Sequence, residues 1–386
     1  MAAGIRYQDR LDLGLIACDR PAAAAGVFTT NQVQAAPVLL GRQRLAATGG
    51  RCQAVLVNAG IANACTGEQG MSAAAATGRL AAAALGIDEE LVQVASTGVI
   101  GEPLPEEPFA RAMPALVDRL APERLAEVAQ AILTTDTRPK VARRACTLSG
   151  RPVVVAGMAK GAGMIMPNMA TMLAFILTDA AVAPDRLQQM LAAAVDGTFN
   201  AITVDGDTST NDTVLLLASG MADHAPLTDD AGPAAQDFSR ALTEVCRDLA
   251  LAIVADGEGA SKCVAIKVVG APDRRAADRV ARTVANSPLV KTAFFGEDAN
   301  WGRILGAAGR AGVRFDPQRV AVFFDGVQMV AAGRGCGSGA ESRATEVLRR
   351  PRFTVTIDLG AGPATATVYT CDLSIDYVKI NADYRT

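Results

Sequence analysis

The sequence contains almost no histidine and few aromatic residues. His224 is the only histidine in 386 residues, and aromatic side chains make up 4% of the chain. A Ser-His-Asp triad or a zinc site with several histidines would have to be built around this one imidazole. We interpret His224 as an exposed loop residue, so any nucleophile in this protein is expected to use a base other than histidine.

Metal-binding and nucleotide-binding motifs are also missing. The eight cysteines form no C-x-x-C pair, which excludes a zinc knuckle and a thioredoxin-type motif. The stretch from Asp205 to Asp212 has calcium-like spacing but lacks the glutamate that ends an EF-hand loop, and a polar turn is the simpler interpretation. The glycine clusters match neither the dinucleotide-binding pattern nor the P-loop pattern. We therefore expect no metal and no organic cofactor.

Charge and hydropathy argue against nucleic-acid and membrane partners. The net charge is −3 and the pI is about 5.4, whereas phosphate binding favours a basic surface. The N-terminal residues are charged and lack the apolar core of a signal peptide. A charge-free run at 161–178 contains two glycines and a proline, which favours buried core over a membrane span. A cytoplasmic location is expected.

Alanine-rich helical segments alternate with β-branched strand segments, which predicts an α/β or layered α+β fold. Helices are predicted at 71–85, 185–194 and 237–255, the last with apolar residues at helical spacing. Short strands are predicted to run into turns at 58–60 and at Thr97-Gly98. Strand patterns dominate after Arg319 and include LSIDYVKIN near the C-terminus. We predict a catalytic core of residues 1–280 and a smaller, sheet-rich C-terminal domain of residues 281–386.

The segment KGAGMIMPNMATMLAFILT differs in kind from the rest of the chain. Thr171 follows the small residue Ala170 and precedes an apolar run at 172–177 that predicts a buried strand. Glycines and a proline upstream predict an irregular approach to this threonine. This is the layout that self-processing N-terminal nucleophile enzymes need.

In such an enzyme the threonine Oγ attacks the preceding carbonyl, water hydrolyses the resulting ester, and the freed α-amine serves as the base. An α-amine has a pKa of about 7.7–8.0, so a useful fraction is neutral near pH 7 without any histidine. From the residues alone, however, a threonine that opens a buried strand is explained equally simply by its β-propensity.

Long stretches of the chain closely resemble the ornithine acetyltransferases, also called glutamate N-acetyltransferases. The resemblance covers the chain from about residue 3 to residue 386. It lies in the segment quoted above and in AAGVFTTNQVQAAPV, VLVNAGIANACTG, STGVIG, ILTTDTRPK, TFNAITVDGDTSTNDT, DGEGASK, VANSPLVKTAFFGEDANWGRI and DYVKINADYRT.

The resemblance implies a role for individual residues. It makes Thr171 the nucleophile and the Ala170–Thr171 bond the site of self-cleavage, giving an α chain of residues 1–170 and a β chain of residues 171–386. Thr97 and Gly98 match the oxyanion-hole pair, whose hydroxyl and backbone N–H would stabilise the tetrahedral intermediate. The positions that match substrate-binding residues of the family are Thr134, Lys160, Thr171, Glu258, Asn381 and Thr386.

These residue types suit an amino-acid substrate. Lys160 could pair with a carboxylate and Glu258 with an ammonium group, while Asn381 and Thr134 could add orienting hydrogen bonds. Thr386 is the last residue of the chain, so its terminal carboxylate is expected in the site. Met166 departs from the smaller or polar residue expected just before Pro-Asn, and it touches no assigned role.

The implied reaction is a ping-pong acetyl transfer from N-acetylornithine to glutamate in arginine biosynthesis, with acetyl-CoA left open as a co-substrate. The implied fold is a core of the N-terminal-nucleophile type with a smaller C-terminal domain, and the implied assembly is an α2β2 heterotetramer. One alternative is a self-processing aminopeptidase or amidase of related fold, in which water accepts the acyl group. The other is a non-enzymatic binding protein, which predicts no cleavage.

Overall fold

The chain forms two compact units. The computed structural model describes residues 1–166, 172–228 and 232–383. Among the described residues, the first unit comprises Met1–Asn200 and Asp207–Ile253, and the second comprises Ala201–Gly206 and residues 254–383. Each unit is built on its own sheet, so the predicted mixed α/β class is confirmed.

The first unit is built on a mixed sheet of seven strands among the described residues. The strands are β1 (Leu13–Phe28), β2 (Arg51–Ile61), β3 (Val92–Val99), β4 (Lys140–Leu148), β5 (Arg151–Lys160), β6 (Leu173–Thr178) and β7 (Thr213–Ala218). Their order in the sheet is β3-β2-β1-β7-β6-β5-β4. The pairs β2–β3 and β6–β7 are parallel, and the remaining neighbours are antiparallel.

Strands from the two sides of the predicted cleavage bond interleave in this sheet. β7 pairs with β1 from Ala23↔Ala218 to Phe28↔Thr213, and β6 pairs with β5 from Val155↔Thr178 to Lys160↔Leu173. Strands β6 and β7, which follow residue 171, therefore lie between β1 and β5, which precede it. Both inserted strands are buried along nearly their whole length, as expected of central strands with both faces covered.

The helices of the first unit pack on this sheet. They are α1 (Ala36–Ala47), α2 (Gly67–Leu85), α3 (Glu107–Asp118), α4 (Leu125–Ala131), α5 (Pro184–Asp196) and α6 (Pro233–Ala255), whose last two residues belong to the second unit. The three predicted helices are present as α2, α5 and α6. Leu242, Val245 and Leu249 of α6 are completely buried, as their spacing predicts. A Cβ on Gly157 of β5 would lie 3.0 Å from Leu249 Cδ1, so this glycine lets the helix approach the strand closely.

The second unit contains a six-stranded sheet of order β11-β10-β9-β12-β8-β13 among its described residues. Its strands are β8 (Cys263–Ala271), β9 (Ala321–Phe324), β10 (Val327–Ala331), β11 (Arg334–Gly335), β12 (Arg352–Asp358) and β13 (Ala364–Cys371). Its helices are α7 (Arg274–Ala285), α8 (Pro288–Phe295), α9 (Trp301–Gly309), α10 (Ser338–Leu348) and α11 (Ile375–Asp383). Short 3-10 turns occur in the chain at Glu89–Leu91, Pro122–Arg124, Phe199–Ala201 and Pro317–Arg319.

The division between the units differs from the predicted boundary at residue 280. That boundary falls inside α7, and the second unit begins instead at Val254. The reason is that β8 pairs in parallel with β12 and antiparallel with β13, which places it in the middle of the second sheet. Residues 201–206 also join this unit, because the Thr203 amide donates to the Tyr369 carbonyl at 2.8 Å.

Three local predictions were wrong. The turns expected at 58–60 and at Thr97-Gly98 lie inside β2 and β3, which continue to Ile61 and Val99. LSIDYVKIN was predicted as a strand, but its residues from Ile375 onward form helix α11.

Candidate active site

The end of β3 places Thr97 and Gly98 beside the end of β2. The two strands are parallel, with Gly98 opposite Gly60. Gly98 has a φ of +130°, and a Cβ there would lie 2.2 Å from the Gly60 carbonyl carbon. No L side chain fits this conformation and this space, so glycine is required here. The buried Thr97 side chain lies next to this fixed backbone.

Lys160 brings Thr97 and Thr134 together. It is the last residue of β5 and is buried, with its Nζ 3.2 Å from Thr97 Oγ1 and 2.8 Å from Thr134 Oγ1. Because the ammonium donates to both hydroxyl oxygens, the hydrogen of each hydroxyl stays available to donate elsewhere. Three residues that are far apart in the sequence thus form one polar cluster in the first unit.

A buried carboxylate, Asp136, supports this cluster. Its Oδ1 accepts hydrogen bonds from Lys140 Nζ and from the Gly161 amide, both at 2.6 Å, and its Oδ2 accepts from the Thr134 amide at 3.1 Å. Lys160 Nζ lies 3.9 Å from the same Oδ2. Burial raises the pKa of Asp136, but the ammonium groups of Lys160 and Lys140 outweigh burial and hold it below its usual value. Asp136 therefore carries a negative charge beside the two lysines.

The dipeptide Asn211-Asp212 connects β3 with β6. Asn211 Nδ2 donates to the Ala62 carbonyl at 2.6 Å and to the Ser96 carbonyl at 2.9 Å, one residue before Thr97. Asp212 Oδ1 accepts from the Met172 amide at 2.8 Å. One short segment therefore fixes the backbone next to the predicted oxyanion residues and next to the predicted nucleophile.

Asp212 is the most unusual titratable group in the first unit. Its side chain is completely buried, and burial raises its pKa well above the usual value, against the opposing effects of the Met172 amide, the Thr29 hydroxyl and Lys160. Its Oδ2 has no hydrogen-bond partner among the residues that the structure describes. Burial thus favours the protonated form of this carboxyl group relative to an exposed aspartate.

Glu258 and Asn381 form a pair within the second unit. Glu258 lies in the turn after α6 and is buried, and its Oε2 accepts a hydrogen bond from Asn381 Nδ2 at 2.7 Å. The same Nδ2 donates to the Tyr377 carbonyl at 3.0 Å, one turn earlier in α11. Gly259 has a φ of +67°, and a Cβ there would lie 2.5 Å from the Tyr377 nitrogen, so the turn approaches α11 as closely as glycine allows.

Asp372 holds this turn against the end of β13. Its Oδ1 accepts from the amides of Ser261 and Lys262, both at 2.8 Å, and its Oδ2 accepts from the Ser261 hydroxyl at 2.6 Å. The Ser374 hydroxyl adds a bond to the Gly259 carbonyl at 2.7 Å. These contacts fix the position of Glu258 relative to α11.

The family of the chain follows from a match over its whole length. Residues 1–386 match the ArgJ family. The chain belongs to the ArgJ family. The arginine biosynthesis bifunctional protein ArgJ of Desulfotalea psychrophila is 57% identical over 384 residues, which cover 100% of this chain and 97% of the relative. The predicted family membership is confirmed, and so is the prediction that the chain is an enzyme.

Solved structures of relatives match parts of the chain. The crystal structure of the arginine biosynthesis bifunctional protein ArgJ of Bacillus halodurans is 39% identical, with a TM-score of 0.52, and covers 54% of this chain and 98% of its own. An ornithine acetyltransferase of Mycobacterium tuberculosis, solved with ornithine, is 39% identical, with a TM-score of 0.38, and covers 43% of this chain and 88% of its own.

Not every residue predicted for this ArgJ-family site can be placed. Thr97, Gly98, Thr134 and Lys160 lie together in the first unit, and Glu258 and Asn381 pair in the second. Ala170, Thr171 and Thr386 lie outside the described residues. Met166, noted above as a departure, lies at the edge of the undescribed segment, and its carbonyl accepts from Thr208 Oγ1 at 3.3 Å. The catalytic and binding roles of all these residues stay predictions.

Three further residues of this ArgJ-family chain were missed from the sequence. Asp136 and Asp212 are described above, and Arg10 donates to the carbonyls of Leu133 and Thr134 at 2.5 and 3.3 Å, which holds the loop that carries Thr134. Asp136 stands within TTDT and Asp212 within TSTNDT, both among the quoted family segments. The available signal was therefore an aspartate inside a recognised segment.

The described residues were also searched for metal sites and membrane spans. Within 1–166, 172–228 and 232–383, no group of three or more His, Cys, Asp or Glu side chains is arranged to hold a metal ion. None of the helices in these ranges combines the length and the apolar character that a membrane crossing requires.

Proposed function

We propose that this ArgJ-family enzyme transfers the acetyl group of N-acetylornithine to glutamate in arginine biosynthesis, through an acetyl ester on Thr171. The observation that carries the proposal is the convergence of Lys160, Thr97 and Thr134 in one buried cluster, beside a backbone that only Gly98 can form. A chain matched by the ArgJ family over its full length supports the same reaction. The name of its relatives places them in arginine biosynthesis.

The first half-reaction loads the enzyme. The α-amine of Thr171, freed by self-cleavage, takes the Oγ proton, and Oγ attacks the acetyl carbonyl of N-acetylornithine. The oxyanion that forms is stabilised by the Thr97 hydroxyl and the Gly98 N–H, typically by a few kcal/mol per donor, about 2.7–4. The C–N bond breaks, the leaving nitrogen takes the proton, and ornithine departs.

The second half-reaction returns the acetyl group to an amino acid. The neutral amine of glutamate attacks the ester carbonyl, the C–O bond to Thr171 breaks, and N-acetylglutamate leaves. Lys160 offers a cation for the substrate carboxylate, and Glu258, oriented by Asn381, offers an anion for the substrate ammonium. Thr134 and Thr386 complete the proposed binding set.

Self-cleavage between Ala170 and Thr171 belongs to this proposal. The solved chain of the Bacillus halodurans relative covers 54% of this chain with 98% of its own residues. That chain is thus about half the length of this one, as expected of a fragment that begins at the equivalent of Thr171. The interleaved strands β6 and β7 would keep the two fragments in one sheet after the cut.

Other parts of the assignment stay predictions. The name of the relatives describes them as bifunctional, which supports acetyl-CoA as a second acetyl donor for glutamate. The α2β2 assembly, the absence of a cofactor and the cytoplasmic location have no direct support among the described residues.

The decisive experiment is intact-mass analysis of the purified protein beside its Thr171→Ala variant, followed by an acetyl-transfer assay. We expect two fragments in the wild type, the larger beginning Thr-Met-Leu-Ala-Phe, and one uncut, inactive chain in the variant. Release of ornithine should depend on glutamate as acceptor, whereas a related amidase would release acetate without it. An uncut but active wild type would refute the proposed nucleophile.

A further inference from the structure

We propose that Asp212 is the group that moves the proton during self-cleavage, between the hydroxyl of Thr171 and the nitrogen of the Ala170–Thr171 bond. This inference rests on the proposed function, since it concerns the step that creates the nucleophile. It assigns a chemical role to a residue that the sequence suggested only as part of a polar turn.

The first support is the position of the carboxyl group. Asp212 Oδ1 lies 2.8 Å from the Met172 nitrogen, which is bonded to the carbonyl carbon of Thr171. The carboxyl group is therefore held within one hydrogen-bond length of the peptide unit that follows the scissile bond.

The second support is the unused oxygen of the same carboxyl group. Asp212 Oδ2 is buried and has no hydrogen-bond partner among the described residues. A buried polar atom without a partner destabilises the folded state, so its retention calls for an explanation. A carboxylic acid with one oxygen held by Met172 N–H and the other unoccupied is arranged to give and take a proton.

The third support is the surroundings, which favour the acid form. Burial raises the pKa of Asp212 well above its usual value, and it outweighs the Met172 amide, the Thr29 hydroxyl and Lys160. Among the described residues, Lys160 at the end of β5 is the charged group that acts on Asp212. The acid form also supplies the proton that the departing nitrogen needs.

The fourth support is rigidity. The neighbouring Asn211 is bound to the carbonyls of Ala62 and Ser96, and Thr213 pairs with Leu173 in the parallel strands β7 and β6. The carboxyl group is therefore fixed relative to both the predicted oxyanion strand and the nucleophile strand. Proton transfer needs this kind of fixed geometry.

The step balances without any co-reactant. Thr171 Oγ bonds to the Ala170 carbonyl carbon while its proton passes to Asp212, and the acid proton of Asp212 passes to the Thr171 nitrogen. The C–N bond then breaks, leaving an ester on Oγ, a free amine and a carboxylic acid restored to its starting form. Water hydrolyses the ester, which releases the C-terminal carboxylate of Ala170.

The test follows cleavage of newly made protein over time, by cell-free synthesis and mass analysis of the uncut chain and its fragments. Asp212→Asn keeps an oxygen that can accept from Met172 N–H, but it has no acidic proton. We expect cleavage to slow by about 100-fold or more, within the range of a general acid–base contribution. A variant that cleaves at the wild-type rate would overturn the proposal and leave the nucleophile assignment intact.

Asp12→Asn is the matched control. Asp12 is also completely buried in the first unit, but both of its oxygens are occupied, by the amides of Ala3 and Ile5 at 2.6 and 2.7 Å. We expect this variant to lose stability without losing cleavage rate. Equal slowing of cleavage in both variants would indicate a general structural effect and overturn the assignment of Asp212.

The pH profile of the wild type gives a second readout that does not depend on a folded variant. Because the acid form acts, the cleavage rate should be constant at low pH and fall with a single ionisation as the pH is raised. The residual cleavage of Asp212→Asn should lack this fall. A wild-type rate that only rises with pH would overturn the proposal, and a wild type that never cleaves would refute it together with the proposed function.

Discussion

Gly98 is the residue whose replacement should be most damaging at the predicted oxyanion hole. Its φ of +130° is unfavourable for any L residue, and its missing Cβ leaves room for the Gly60 carbonyl carbon at 2.2 Å. The two effects act at the same backbone N–H that the proposed reaction uses. Stability and rate should therefore be lost together at this position.

We expect Gly98→Ala to destabilise the protein by about 2–6 kcal/mol, from overpacking and backbone strain combined. Gly101→Ala is the control, because Gly101 also has a positive φ, of +83°, but no atom lies within 4 Å of the added carbon. The control should lose only the strain contribution of about 1–3 kcal/mol. Melting temperatures and acetyl-transfer rates of both variants would be compared, and similar losses would contradict the crowding argument.

Asp136 should stabilise the buried ammonium groups of Lys140 and Lys160. Asp136→Asn removes a buried carboxylate that lies 2.6 Å from Lys140 Nζ and 3.9 Å from Lys160 Nζ, which we expect to cost about 3–5 kcal/mol near neutral pH. Asp223→Asn is the control, because that side chain is 92% exposed and its contact with Arg151 is 3.7 Å long. A surface pair of this kind contributes about 0–1 kcal/mol.

The cost of Asp136→Asn should depend on pH in a defined direction. The folded-state pKa of Asp136 lies below its usual value, so its contribution to stability is present above the unfolded pKa, about 3.9, and is lost as the pH falls through the folded pKa. The difference in free energy of unfolding between wild type and variant should therefore shrink in acid. A difference that is constant down to pH 2 would contradict this assignment.

At the residue scale, the family segments named residues that lie together in the structure, and their roles stay predictions. Thr97, Thr134 and Lys160 came from family segments, and the structure brings the two threonine hydroxyls within hydrogen-bond distance of Lys160 Nζ. The importance of Asp136 and Asp212 was hidden, because it comes from buried side chains and from the backbone partners Gly161 and Met172, which lie 25 and 40 residues away. An aspartate in a polar segment looks the same whether it is solvated or buried.

At the scale of elements, helix α11 shows why LSIDYVKIN was misassigned. Its alternating β-branched and polar residues are typical of a strand. The Ser374 hydroxyl, however, accepts from the Tyr377 amide at 3.4 Å, the position of a serine N-cap, and also binds the Gly259 carbonyl. A serine at the position of Ser374 is a helix-start signal that the sequence already contained. The strand-like alternation of the residues after it pointed the other way.

Helix α11 should act on the reaction through Glu258. Asn381→Ala removes the 2.7 Å hydrogen bond to Glu258 and leaves that buried carboxylate without its amide donor, a cost of about 1–3 kcal/mol. We expect the KM for the amino-acid substrate to rise by roughly tenfold or more, since 1.4 kcal/mol corresponds to tenfold. Steady-state kinetics with glutamate as the varied substrate would measure this change.

Lys379→Ala is the control on the same helix. Lys379 is 68% exposed and bonds only Asp376, which is equally exposed, within the described residues. Its loss should leave the KM unchanged. If both variants raise the KM alike, the effect belongs to the helix as a whole and not to the Asn381–Glu258 pair.

At the scale of the whole molecule, the fold class could be predicted but the arrangement of the strands could not. Alternating helix and strand patterns indicate a mixed α/β chain. Nothing local indicates that Ala23 pairs with Ala218, or that β8 joins strands almost a hundred residues later in the chain. Pairing between distant segments is decided by packing. The domain boundary and the order of the strands could therefore not be predicted from local sequence patterns.

Under the proposed cleavage between Ala170 and Thr171, the interleaving of β6 and β7 between β1 and β5 changes the thermodynamics of unfolding. An intact chain unfolds and refolds as one molecule, and its melting temperature does not depend on concentration. After the cut, the unfolded state is two independent molecules that must meet again, so mass action enters the balance. Dilution by a factor of 100 then costs about 2.7 kcal/mol of stability.

Wild-type protein should therefore melt at a lower temperature when diluted 100-fold, and its refolding should slow in proportion to concentration. Thr171→Ala, as the uncut counterpart with the same sheet, should show neither effect. Calorimetry and refolding kinetics at several concentrations would separate the two cases. The cleaved protein would then fold once as a single chain. After full denaturation, it could refold only when its two fragments meet in solution.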